Sequence, residues 1–197
     1  LLELYRITFD AEYLSEAILR AEQMLEFFED KQNGGFFMTA EDAEKLIARP
    51  KETYDGATPS GNSVVALVLQ KLAYLTGDPK WQDAANRQLG FISETMGDEP
   101  SGSSFGLLAV MDKLYPHKEL VCVSDNNIPD KLCEYIKNSP SYGLEIILKT
   151  HKNEQALAEC APFTAGYPIP QEGAMYYLCE KGTCKTPIKD FELLNLD

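Results

Sequence analysis

The sequence predicts a mainly α-helical fold, a partial α/α toroid of helical hairpins, followed by a small α/β unit. Two observations predict the helical part. Two short motifs each occur twice, and mostly apolar helices alternate with amphipathic ones. A third observation predicts the α/β part, because short β-branched runs suited to strands occur only after Pro116. We therefore expect two domains, residues 1–116 and residues 117–197.

The first repeated motif predicts a tight turn between two helices. ITFDAEY at Ile7–Tyr13 and LTGDPKW at Leu75–Trp81 share an aliphatic residue, Thr, Asp and an aromatic residue at the same spacing. Asp10 and Asp78 can each cap the helix that follows, because a short carboxylate accepts hydrogen bonds from the free N–H groups of a first turn. Each copy therefore predicts a helix, a turn and a second helix.

The second repeated motif precedes helices that we expect to be buried. PSGNS at Pro59–Ser63 recurs as PSGSS at Pro100–Ser104, and mostly apolar helices are predicted after them at Val64–Leu75 and Phe105–Tyr115. A helix that is apolar on nearly all sides is buried. Buried helices surrounded by amphipathic ones are typical of an α/α toroid. The predicted helices are too few to close a ring, so we expect a piece of a longer protein.

The C-terminal part alternates between candidate strands and candidate helices. Strands are predicted at Glu119–Ser124, Leu144–Lys149 and Ala174–Cys179, and short helices at Pro129–Lys137 and Glu154–Cys160. This alternation favours a small α/β unit with some parallel pairing. No glycine-rich turn follows a strand, so a dinucleotide-binding fold is not indicated.

Composition limits the classes of partner. The net charge of −13 disfavours binding to nucleic acid, because an acidic surface repels phosphates. No apolar run approaches the roughly 20 residues that span a bilayer. The N-terminal residues show no export signal. We therefore expect a cytoplasmic protein that binds neither nucleic acid nor membranes.

The five cysteines predict free thiols, because their number is odd and no export signal is present. Cys179 and Cys184 show C-x4-C spacing, but a zinc site normally has four ligands. His117, His151 and Cys160 complete such a set only if the fold happens to bring them there. We predict no metal site, no cofactor and no essential disulfide.

Residues 31–63 form a connection that is long for a helical hairpin, and long loops in compact domains are usually functional. Gly56–Ser63 differs at one position from the phosphate-loop pattern, because Asn62 stands where that loop requires Lys. A helix cap explains Pro59–Ser63 but not the residues before it. The carboxylates, cations and aromatic rings of the loop favour the rim of a sugar or polyol site, with a purely structural lid as the alternative.

The candidate site residues follow from the chemistry of sugars. Aromatic faces stack on sugar rings and polar groups bond hydroxyls. The predicted substrate-binding residues are Phe37, Arg49, Lys51, Tyr54, Ser60 and Asn62. Glycosidic hydrolysis requires two carboxylates, and Asp42 and Asp55 are the best pair in the loop. An epimerase would need a base titrating near neutrality, usually His, and the loop has none. We also expect Arg49, Lys51 and Asp55 to converge near the N-terminus of the helix after Pro59.

Two stretches resemble a known family. GGFFMTAEDAEKLIARPKETYDGATPSGNSVVALVLQKLAYLTGD resembles the YyaL-type, spermatogenesis-associated protein 20-like family, and the closing YLCEKGTCKTPIKDFELL is similar to its C-terminus. The shared motif comprises Arg49, Lys51, Asp55, Gly56, Pro59, Ser60, Gly61 and Asn62. The resemblance implies a protein with an N-terminal thioredoxin-like domain and then an α/α toroid like those of N-acylglucosamine 2-epimerases and six-hairpin glycosidases. This chain would be the last part of that toroid.

Two functions remain open at this point. The chain is part of a glycosidase-like or epimerase-like enzyme of carbohydrate metabolism, or it is a non-catalytic structural or regulatory module that supports the N-terminal thioredoxin-like domain. The expected partners are a small carbohydrate-like ligand and the thioredoxin-like and toroid regions of the same full-length protein. We also expect the isolated chain to self-associate, because an open ring would expose apolar surface at Val64–Leu75 and Leu1–Phe9.

Overall fold

The computed structural model describes residues 1–44, 47–97, 100–125, 127–139, 143–180 and 182–196. The α-helices in these ranges are α1 (Leu2–Thr8), α2 (Ala11–Phe27), α3 (Gly61–Thr76), α4 (Pro79–Met96), α5 (Ser104–Leu114), α6 (Asp130–Asn138) and α7 (Glu154–Cys160). The strands are β1 (Lys118–Ser124), β2 (Leu144–Lys149), β3 (Ala174–Glu180) and β4 (Thr183–Cys184).

The fold is α/β, and the predicted mainly α fold with a partial toroid is wrong. Four strands form one mixed sheet in the order β2-β1-β3-β4. Seven α-helices within the described ranges are too few for a toroid of helical hairpins. The error came from extending two local repeats to a global ring, because a repeated turn or cap specifies a helix boundary and not how the helices pack.

Contacts divide the chain into two compact units, which we call the sheet unit and the helical unit. The sheet unit comprises Leu1–Glu16, Tyr74–Gly77 and Tyr115–Asp197, and the helical unit comprises Ala17–Ala73 and Asp78–Leu114. Neither unit is one continuous segment. The predicted division into domains 1–116 and 117–197 stays a prediction.

The sheet is built around β1, which pairs with β2 in parallel and with β3 in antiparallel orientation. All six residues of β2 are buried, as are the last five of β1. A near-continuous apolar run is typical of a strand that is covered on both faces. Helix α6 connects the two parallel strands, as a parallel pair requires a crossover. The predicted parallel pairing is therefore confirmed.

The predicted helix–turn–helix boundaries are also confirmed. The side chain of Asp78 accepts a hydrogen bond from the backbone N–H of Lys80 at 2.9 Å, and Pro79 is the first residue of α4. Asp10 accepts from the N–H of Glu12 at 3.0 Å, at the start of α2. Each aspartate thus satisfies a free donor of a first turn.

The core of the helical unit lies between α3, α4 and α5. It contains Ala66 from α3, Leu89 and Ile92 from α4, and Ala109 from α5. Helix α3 is largely buried, as predicted, since Leu69 and Leu72 are 0% exposed, although Val64 in its first turn is 38% exposed. No helix in the described part of the chain is long and apolar enough to cross a bilayer.

The expectation that all five cysteines are free is wrong. Cys179 and Cys184 form a disulfide, and their Cα atoms lie 3.8 Å apart. The antiparallel register of β3 and β4 places the two residues directly opposite each other, which sequence spacing alone does not reveal. Cys122, Cys133 and Cys160 are free thiols. The absence of an essential disulfide stays a prediction.

Candidate functional site

The helical unit contains a pocket of about 590 Å³ beside the N-terminus of α3. Aromatic and methionine side chains form much of its wall. The lining residues are Met24, Phe28, Phe36, Phe37, Met38, Glu52, Tyr54, Gly56, Ala57, Thr58, Pro59, Ser60, Gly61, Asn62 and Val65. Four of the six predicted substrate-binding residues are therefore at the pocket, namely Phe37, Tyr54, Ser60 and Asn62. Arg49 and Lys51 are not among its lining residues.

Asp55 joins the starts of two helices. Its Oδ1 accepts from the backbone N–H of Ser60 at 2.7 Å, directly before α3. Its Oδ2 accepts from the Ser63 hydroxyl at 3.0 Å and from the N–H groups of Phe105 and Gly106 at 2.8 and 3.1 Å, in the first turn of α5. The two copies of the PSG motif therefore precede two helix N-termini that share one carboxylate. This is a capping role for both oxygens of Asp55.

The titration of Asp55 reflects the same contacts. Burial by itself would raise the pKa of this carboxyl, but the four hydrogen bonds stabilise the charged form and lower the pKa below its ordinary value of 3.8. The Asp55 carboxyl is therefore ionised at neutral pH. It does not have the raised pKa that a general acid requires.

Asn62 fastens the long loop to α3. Its side-chain oxygen accepts from the N–H of Phe36 at 2.7 Å and from the amide of Gln88 at 3.2 Å. Its side-chain nitrogen donates to the carbonyl groups of Phe36 and Glu52 at 3.0 and 2.8 Å. These four bonds use the full hydrogen-bonding capacity of an amide. At the position where a phosphate loop has Lys, this chain therefore has an Asn that binds the loop to α3.

Arg49 and Lys51 pack on the Phe37 ring. The guanidinium carbon of Arg49 lies 4.1 Å from the ring centroid, and Lys51 Nζ lies 4.9 Å from it. Arg49 donates to the carbonyl of Thr39 at 2.6 Å, and Lys51 donates to Asp30 at 2.7 Å. Of the three residues predicted to converge at the N-terminus of α3, Asp55 binds there. The two cations instead bind Thr39 and Asp30 and contact the ring of Phe37, which lines the pocket.

Tyr54 presents an exposed ring at the pocket, with 67% of the residue accessible to solvent. A Cβ atom on Gly56 or on Gly102 would lie only 3.2 Å from this ring. A side chain at either glycine would therefore crowd the ring in this position. Tyr54 also lines a second pocket of about 540 Å³, together with residues of α4 and the 101–103 segment.

Sequence reasoning missed Glu52, although it lies in the predicted loop. Its Oε1 accepts from the N–H of Tyr54 at 3.2 Å, and it contributes the carboxylate among the described residues that line the pocket. The predicted catalytic pair is not brought to this pocket, because Asp55 caps two helices and the exposed Asp42 is not a lining residue. The catalytic role of Asp42 and Asp55 stays a prediction.

Comparisons with known proteins connect the chain to one group of longer proteins. Spermatogenesis-associated protein 20 of Homo sapiens is 29% identical over 193 residues, which is 96% of this chain and 25% of that protein. The proteins of the same name from Rattus norvegicus and Mus musculus are each 28% identical over 193 residues, which is 96% of this chain and 24% of each protein. No protein-family profile matches the chain.

This similarity makes the chain homologous to one segment of spermatogenesis-associated protein 20 and supports a place in that family. The chain spans about a quarter of the length of these relatives. Their name specifies no reaction and no ligand, so the function of the pocket is inferred from its geometry.

Proposed function

We propose that the helical unit binds a small neutral carbohydrate or similar polyol beside Tyr54, as a binding module and not as a hydrolase. The observation that carries this proposal is the exposed Tyr54 ring, which lies beside Gly56 and Gly102 and next to a carboxylate at an aromatic-lined pocket. Clefts with mostly apolar walls and a few polar groups are the usual form of small-molecule sites.

The ring of Tyr54 supplies a stacking surface for the C–H face of a sugar. Aromatic side chains combine a large apolar face with a polar edge, which suits a ligand that is itself amphipathic. Glycine at positions 56 and 102 leaves room for the ring, because a Cβ atom at either position would lie 3.2 Å from it.

The negative charge of Glu52 at the pocket favours neutral polyols over acidic ones. Glu52 can accept hydrogen bonds from hydroxyl groups, whereas its negative charge disfavours phosphorylated or acidic sugars. The net charge of −13 acts in the same direction. A neutral or amino sugar therefore fits the pocket better than a sugar phosphate.

The positions of the carboxylates favour binding over hydrolysis. Hydrolysis of a glycosidic bond uses two carboxyl groups on opposite sides of the bond. Both oxygens of Asp55 are engaged by four hydrogen bonds, and Asp42 is exposed in the loop away from the pocket lining. Glu52 alone does not provide such a pair.

Calorimetric titration of the chain with neutral mono- and disaccharides and their phosphorylated analogues tests the proposal. We expect a neutral sugar to bind and its phosphate to bind more weakly. Tyr54→Ala should lower the affinity about tenfold, because a ring contact worth about 1.4 kcal/mol corresponds to that factor. Tyr115→Ala is the matched control, since Tyr115 is similarly exposed at 61% but lies in the sheet unit. Binding that is equal in Tyr54→Ala, or absent for every sugar, contradicts the proposal.

A structural role within a longer protein is the second candidate. Helix α1 of the sheet unit exposes an apolar face, with Leu4 and Ile7 accessible to 47% and 61%. The chain also matches only about a quarter of its relatives. We propose that this face packs against the rest of the full-length protein, including the thioredoxin-like domain that the family resemblance implies. Leu4→Glu with Ile7→Glu should then lower the thermal stability of the full-length protein, and unchanged stability argues against it.

A further inference from the structure

The disulfide of the sheet unit lies on the edge hairpin. Strand β4 is the last strand in the order β2-β1-β3-β4 and has only two residues. It carries Cys184, which is exposed, whereas Cys179 on β3 is buried. One sulfur of the bond is therefore on the solvent side of the hairpin and the other lies within the sheet unit.

A tyrosine hydroxyl contacts this disulfide. Tyr167 Oη lies 3.4 Å from Cys184 Sγ and 3.9 Å from Cys179 Sγ, and can donate a hydrogen bond to either sulfur. Its ring packs edge-on against Tyr177 on β3, with centroids 4.7 Å apart. Burial, and then the negative charge of Glu119, raise the pKa of Tyr167, so the hydroxyl keeps its proton at neutral pH.

We propose that Cys179 and Cys184 form a reversible thiol–disulfide site that exchanges with a small dithiol. The exposed position of Cys184 and the contact between Tyr167 and both sulfurs carry this proposal. It concerns the sheet unit and does not depend on sugar binding by the helical unit.

The exchange proceeds in two balanced steps. A thiolate of the dithiol attacks Cys184 Sγ, which forms a mixed disulfide and releases Cys179 as the leaving thiolate. The second thiolate of the reductant then attacks the reductant sulfur that is bonded to Cys184 Sγ, which closes the cyclic disulfide and releases Cys184 as a thiolate. Two protons from the reductant end on the two cysteines, so the protein gains two thiols and the dithiol becomes a cyclic disulfide. The reverse reaction uses the oxidised dithiol.

Tyr167 assists the first step as a hydrogen-bond donor to the departing sulfur. A better stabilised leaving thiolate departs faster. The hydroxyl is within 3.9 Å of Cys179 Sγ before the bond breaks, and loss of the S–S bond leaves a negative charge for it to bind. The tyrosine ring is not required for this effect, so a phenylalanine variant separates the hydroxyl from the packing.

Opening the disulfide need not unfold the sheet. Strand β3 is paired with β1 along seven register positions and is joined to Ile188 by a bridge at Tyr176. Strand β4 is paired at only two positions. Reduction therefore releases β4 while β1 and β3 stay paired. Cys122 provides the contrast, because it is buried on β1 and burial raises the pKa of its thiol well above the usual range.

Differential alkylation and mass spectrometry of the whole chain test the site, with dithiothreitol as the dithiol. The chain purified without reductant should contain the Cys179–Cys184 bond. Graded ratios of reduced to oxidised dithiothreitol should open and re-form it at constant far-ultraviolet circular dichroism. After reduction, Cys184 should be alkylated at least about tenfold faster than Cys179, as burial slows access.

Two variants make the test specific. Tyr167→Phe should slow reduction at least threefold, while Tyr115→Phe, an exposed tyrosine of the same unit, should leave the rate unchanged. Equal rates in the two variants overturn the role of Tyr167. The proposal as a whole is overturned if the purified chain lacks this disulfide, or if the bond opens only together with loss of the circular dichroism signal.

Discussion

Replacing Asp55 by alanine should destabilise the helical unit by about 3–5 kcal/mol. The carboxylate caps α3 through Ser60 and α5 through Phe105 and Gly106. Loss of a side-chain cap costs about 1 kcal/mol for each helix. The N–H groups of Ser60 and Gly106 are bonded in buried surroundings, and an unsatisfied buried donor costs a further 1–3 kcal/mol or so. Partial hydration keeps the combined cost of the two donors at about 1–3 kcal/mol, and adding about 2 kcal/mol for the two caps gives about 3–5 kcal/mol.

Urea unfolding followed by tryptophan fluorescence measures this loss. Trp81 is the single tryptophan of the chain, is 1% exposed and lies in the helical unit, so its emission reports on that unit. Asp42→Ala is the matched control, because Asp42 is an exposed aspartate of the same loop. Its effect should stay within about 0.5 kcal/mol, as expected for a surface substitution away from caps and networks.

The capping interpretation has a clear failure condition. If Asp55→Ala lowers the free energy of unfolding by less than about 1 kcal/mol, or by no more than Asp42→Ala, then one carboxylate does not hold the two helix starts together. An intact far-ultraviolet spectrum in the variant ensures that the comparison concerns stability and not failure to fold.

Three further outcomes are expected. The folded-state pKa of Asp55 lies below 3.8, so the stability that this carboxylate contributes is complete above about pH 4 and is lost as the pH falls through the folded pKa. Asp55→Asn should therefore remove this part of the acid sensitivity of folding, which Trp81 fluorescence measures. Gly102→Ala should weaken sugar binding several-fold in calorimetry, because its Cβ would crowd the Tyr54 ring at 3.2 Å, and an unchanged affinity would contradict the role of that ring position. The chain should self-associate at micromolar concentration through the apolar face of α1. Light scattering measures the mass, and a monomer, or the same mass in the Ile7→Glu variant as in the unmodified chain, would exclude this association.

Local structure was predictable from the sequence because it depends on short-range chemistry. Strand β2 and helix α7 have the predicted bounds, since a β-branched run and a short helical pattern each fix their own backbone. Asp78 and Pro79 specify the start of α4 in the same way. The arrangement of the whole fold could not be predicted from these local patterns, because the sheet depends on pairing between strands that are distant in sequence. The disulfide has the same origin, as it follows from the register of β3 and β4.

The candidate site shows a different limit, because charge in a loop does not identify its partner. Arg49, Lys51, Asp55 and Asn62 were predicted as site residues, and each forms hydrogen bonds within the protein, mostly to backbone groups and to Asp30. A long loop has many backbone groups without regular partners, and each buried one needs a hydrogen bond. The polar residues of the loop meet this need. Ser60 and Asn62 line the pocket, but their side chains are bonded within the protein, so Glu52 and the aromatic side chains are the groups that a ligand would meet.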